Sequence, residues 1–145
     1  MTSYETPDGG VEQPFVLGGY RICVEGTQSG TVTAVTLAEA HGVELETWTV
    51  RLPESEFLGA AEGSLVDNDI IPGVDTVSVP CDTDGPLGEL LVQVSRTDPE
   101  VGWFDGYDIA WEAGGHTGVI LYRTALTLCD ASLYTNEEAC PDPPE

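Results

Sequence analysis

Apolar and polar residues alternate along this chain in short stretches, with the period of two that belongs to strands. In residues 20–25, Tyr20, Ile22 and Val24 fall on one side and Arg21, Cys23 and Glu25 on the other. Residues 31–37 are rich in Val and Thr. Residues 43–52 begin with Val43 and Leu45 in one phase and finish with Trp48, Val50 and Leu52 in the other. That change of phase predicts a β-bulge near residues 46–47. Residues 75–81 place Val77 and Val79 on one face, and residues 88–96 do the same with Leu90, Val92 and Val94. In residues 105–112, Tyr107, Ile109 and Trp111 oppose Asp108, Ala110 and Glu112. The run Ala113-Gly114-Gly115-His116 then reads as a hairpin turn into a long last strand, 117–129, carrying Ile120, Tyr122, Leu126 and Leu128.

These segments predict an all-β chain: a single antiparallel β-sandwich of about seven strands. No helix-period segment of useful length competes; residues 54–62 allow a turn or two at most. The sandwich is expected over residues 15–129. Residues 1–14 read as a flexible arm, and residues 130–145 as an acidic tail whose Pro-Asp-Pro-Pro-Glu end cannot easily continue a sheet. The connection 53–74 exceeds the ~12–15 residues usual for a structureless loop. Its Phe57, Leu58, Leu65, Val66, Ile70 and Ile71 are expected to fold back and cap one end of the core.

Charge narrows the partners. The 145 residues contain no lysine, four arginines and 26 carboxylates, for a net charge of -22. Such a surface repels phosphate backbones and anionic lipid, so nucleic acid and anionic membranes are not expected partners. A protein partner, self-assembly, cations and a salt-rich medium remain compatible. Adaptation to salt and plain solubility account equally well for the acidity.

Four cysteines, Cys23, Cys81, Cys129 and Cys140, lack the CxxC spacing of zinc sites. Their even number points to two disulfides and an oxidising, extracytoplasmic location. Three connectivities are open. Cys23 with Cys81 and Cys129 with Cys140 is favoured, since the second bond would pin the tail to the last strand. The first ten residues carry neither a basic nor an apolar leader region, so no signal peptide is expected there.

Candidate chemistry is sparse. Asp67-Asn68-Asp69 and Asp82-Thr83-Asp84-Gly85 resemble fragments of calcium loops, so calcium is the one cofactor weighed. Neither segment completes a ligand set, and both are also ordinary turn chemistry. His41 and His116 each adjoin a glycine and read as exposed turn residues. Ser64, Ser78 and Ser95 lack any flanking nucleophile signature, so no enzyme activity is expected. Trp48 and Trp111 are in phase with core residues. Trp103 and Phe104 sit in Glu-Val-Gly-Trp-Phe-Asp-Gly, which reads as a turn over 102–106, and are candidates for a contact surface.

The order Gly-Tyr-Arg-Ile-Cys-Val, then Val-Ser-Val-Pro-Cys, then Leu-Thr-Leu-Cys resembles small extracytoplasmic immunoglobulin-like domains over about residues 18–129. The resemblance implies a sandwich outside the cytoplasm and brings no site residues with it. The reading is therefore a non-catalytic interaction or assembly module, with a calcium- or small-ligand-binding module as the alternative.

Overall fold

The computed structural model describes residues 2–6, 13–25, 29–52 and 58–130. Among them, nine strands make two sheets: β1 Thr2–Thr6, β2 Pro14–Ile22, β3 Gly30–Leu37, β4 Val43–Arg51, β5 Ala60–Glu62, β6 Thr76–Val77, β7 Gly88–Arg96, β8 Val101–Ala113 and β9 His116–Asp130. One sheet has the order β1-β9-β8-β3-β6, the other β4-β7-β2-β5. Every pairing is antiparallel except that of β1 with β9. The all-β prediction holds, with nine strands rather than seven.

Several expectations need correction. The arm expected at 1–14 contains β1, and β2 already begins at Pro14. The strand expected over 75–81 pairs only at Thr76–Val77, followed by a single bridge between Val24 and Pro80. The turn expected over 102–106 is strand, because its glycines serve close approach rather than reversal. A Cβ at Gly102 would overlap the Gly42 carbonyl oxygen. Gly106 has φ +77°, and a Cβ there would overlap the Tyr122 carbonyl oxygen; the register of β8 against β9 shifts at this point.

The expected bulge in β4 is present, between Leu45 and Thr47. A second shift in β2, between Leu17 and Tyr20, moves the inward set from Phe15 and Leu17 to Tyr20 and Ile22. Two glycines, Gly18 and Gly19, occupy that step. Between the sheets, Leu90, Val92 and Val94 of β7 meet Phe104, Tyr107 and Ile109 of β8, with Val32, Val35, Leu126 and Leu128 beside them. Each such side chain contributes ~1.5–3 kcal/mol by leaving water. Tyr107 stacks on Tyr122 at 5.2 Å, and Tyr20 meets Tyr122 edge-on at 4.9 Å.

A smaller second core lies on the far side of the four-stranded sheet, where Val16 and Leu91 are covered by Leu65 and Ile70. The long connection, in its described part 58–74, thus covers a sheet face instead of capping the sandwich end. Val66 and Ile71, expected to fold back, are exposed at 66% and 74%. Val66 opens the 3-10 turn Val66–Asn68. Polar side chains of the sheet hold this cover by its backbone. The Glu89 carboxylate accepts from the amides of Leu58 (2.9 Å) and Gly59 (3.1 Å) and pairs with Arg51 at 3.2 Å. Gln93 accepts from the Leu65 amide at 2.9 Å. The Thr49 hydroxyl donates to the Ile71 carbonyl and accepts from the Val74 amide. Strand β7 is consequently buried on both faces.

Candidate functional site

Phe104 is fully buried in the main core, which removes it as a surface candidate. Trp103 is half-buried, and its ring stacks on His41 at 4.5 Å. The backbones of the two residues exchange hydrogen bonds of 2.8 and 2.9 Å, so His41 belongs to a bridge that holds Trp103. The exposed His116 opens β9 after a turn with Gly114 and Gly115 at positive φ, as the hairpin reading requires.

The four candidate aspartates divide into two groups. Asp67 and Ser64 bond reciprocally: the Ser64 amide donates to the Asp67 carboxylate (2.9 Å) and the Asp67 amide to the Ser64 hydroxyl (3.0 Å). This is the logic of a capping box, and hydrogen bonds from the Ser64 amide first, and then from its hydroxyl, hold the Asp67 carboxyl below its ordinary pKa. Asp69 closes the 3-10 turn with a left-handed backbone. Asp82 and Asp84 are exposed between β6 and β7. Among the described residues no three His, Cys, Asp or Glu side chains are placed to share a metal ion, so the four aspartates form no common ligand set.

Cys23 and Cys81 form a disulfide, S–S 2.04 Å, across 58 residues of chain. Cys129 is fully buried at the end of β9, and no described cysteine is a free thiol. The expected Cys129–Cys140 bond falls outside the described residues, because Cys140 is not among them, and so do residues 131–145 of the tail.

The two outer faces differ. On the five-stranded sheet, Val32, Val35 and Ile109 face inward, so the intervening residues face out. Three cross-strand rows result: Thr31, Glu112 and Thr117; Ala34, Ala110 and Val119; Thr36, Asp108 and Leu121. Val119 and Leu121 are 58% and 62% exposed. Arg123 pairs with Asp108 at 2.7 Å beside them. Apolar side chains in water are ordinary singly, but here they adjoin Ala34 and Ala110 on one flat face.

The sheets also differ in length. Strands β8 and β9 have 13 and 15 residues, whereas β2, β4 and β7 each have nine. At about 3.3 Å per residue the long strands exceed the others by roughly 13 Å, and part of that excess forms an overhang at the hairpin end, beyond the Ile22–Gly88 pair that closes the shorter sheet. Trp111 lies on the inner face of that overhang. It is half-buried, not part of the packed core as its phase predicts. Its ring packs over the cross-strand Gly118, where a Cβ would come within 2.5 Å of it. Under the overhang lies an open cleft of about 620 Å³, walled by Ile22, Val24, Val32, Val77, Trp111 and Ile120. The Cys23–Cys81 disulfide and the exposed Glu25, Glu112 and His116 also line it.

Sequence reasoning missed Glu89, Gln93 and Thr49 as the residues that hold the cover, since alternation alone assigns them to solvent. No family of known proteins, characterised protein or solved structure matches this chain.

Proposed function

We propose that this chain is a non-catalytic, extracytoplasmic interaction module of immunoglobulin-like architecture, and that it binds a basic protein through the outer face of its five-stranded sheet. The observation that carries this reading is the pair Val119 and Leu121, left in water on a face with Ala34 and Ala110 while the opposite sheet is covered. The net charge of -22 selects a partner of opposite charge and speeds its approach. The apolar rows then supply contact area that electrostatics alone does not.

The neighbour relations β4-β7-β2 and β9-β8-β3 parallel the D-E-B and G-F-C runs of immunoglobulin-like sandwiches. The chain departs from that pattern in its disulfide, which ties the end of β2 to the segment after β6, and in lacking a tryptophan on β3. The disulfide supports an oxidising location. A catalytic reading draws no support from His41, stacked on Trp103, or from the Ser64 hydroxyl, engaged by the Asp67 amide.

The test is a photo-crosslinking amino acid placed at position 119, with position 66 as an equally exposed control. The fluid around the producing cells should yield an adduct with a net-basic protein at 119 and none at 66. Leu121→Glu should abolish the adduct although it adds negative charge. Equal yields at both positions, no adduct, or survival in Leu121→Glu would refute the reading. Adducts between two copies of this chain would replace it with self-assembly.

A further inference from the structure

We propose that the cleft beneath the β8–β9 overhang binds a small hydrophobic organic cation, an ammonium group carried on an apolar body. This site is separate from the sheet face and stands without it. Three observations converge on this class of ligand. A volume of about 620 Å³ falls within the range of small-molecule sites. The walls are aliphatic at Ile22, Val24, Val32, Val77 and Ile120, which favours an apolar body. Among the described lining residues the acidic ones are Glu25 and Glu112, of which Glu112 turns its side chain to the outer face, and the only large aromatic is Trp111.

Trp111 is the informative residue. Its position on the inner face places it with Tyr107 and Ile109, both essentially inaccessible to water. It stays half-exposed because the shorter sheet ends before reaching it. Seated on Gly118, the indole is fixed in place, so ordering it on binding costs little. The indole attracts a cation through its ring quadrupole, and Glu25 at the cleft adds direct charge. Anionic amphiphiles such as fatty acids meet repulsion from Glu25 and from the whole-molecule charge.

The experiment compares three probes of one size: benzyltrimethylammonium, its neutral isostere neopentylbenzene, and phenylacetate. Binding is followed by the Trp111 indole and nearby amide resonances of the intact chain in 0.5 M sodium chloride, which suppresses diffuse attraction. The cation should give saturable shifts confined to Trp111, Ala113, Ile120 and Val24. The neutral probe should bind roughly threefold or more weakly, and phenylacetate should not bind. Glu25→Gln, at an exposed position, should bring the cation down to the neutral probe's affinity. Trp111→Phe should weaken binding and Trp111→Leu abolish it. Equal binding of cation and neutral isostere, shifts that never saturate, or unchanged affinity in Trp111→Leu would overturn the proposal. The Glu25→Gln variant keeps it falsifiable should the Trp111 variants unfold.

Discussion

At the scale of single residues, Glu89 shows how a charged side chain can be structural. It is wholly inaccessible to water, yet its two oxygens receive the Leu58 and Gly59 amides and the Arg51 guanidinium. Gly18 lies close by: a Cβ there would come within 2.5 Å of the Glu89 carboxylate. Glu89→Gln would set an amide NH2 against these donors. It should cost about 2–4 kcal/mol in urea unfolding, with faster hydrogen exchange at Leu58 and Gly59. A cost below ~0.5 kcal/mol would deny the clamp. Asp67 and Asp98 give a second prediction. Asp67 is stabilised as the anion by Ser64, and Asp98 by the Glu100 and Val101 amides, so both carboxyls titrate below the ordinary aspartate value. A depressed folded pKa means that their contribution to stability is complete above pH ~4 and is lost as pH falls through the lower folded value. Carboxyl-carbon NMR titration checks this; ordinary values at both positions would contradict it.

At the scale of elements, some strands were legible in the sequence and others were not, for identifiable reasons. Strand β7 was readable to its ends because Leu90, Val92 and Val94 alternate without interruption. The bulge in β4 was readable because it shifts the apolar phase. Its counterpart in β2 was not, since Gly18 and Gly19 contribute no side chain to the pattern. The burial of Leu91 was not legible because its cover, Leu65 and Ile70, comes from over 20 residues away. Gly102 and Gly106 imitate turn signals, while their actual use is close backbone approach inside β8. Gly106→Ala should therefore destabilise by at least ~3 kcal/mol, combining positive φ with overlap on Tyr122. Gly115→Ala, at φ +81° but with open space around the new Cβ, should cost distinctly less. Comparable losses in the two would refute the close-approach account.

At the scale of the whole molecule, charge and cover act together. A chain at -22 repels itself when compact, and dissolved salt screens that repulsion over about 3 Å at molar concentration. The thermal midpoint should rise from low to molar sodium chloride; a flat or falling midpoint would remove salt screening as a factor in stability. The candidate contact face was only half legible. Sequence alternation put Val119 and Leu121 opposite Ile120, but whether the outer face is covered depends on where the connection 58–74 lands. It lands on the other sheet, secured by Glu89, Gln93 and Thr49. Trp111 was likewise correct in phase and wrong in burial, because strand lengths in the partner sheet are not written in its own segment.

The asymmetry of cover is the claim on which the functional reading stands, and carbene footprinting with residue-level mass analysis measures it directly. Val119 and Leu121 should label heavily, while Val16 and Leu91, the corresponding apolar residues on the other sheet, stay protected until the protein unfolds. Equal labelling of the two faces in the native protein would contradict the account.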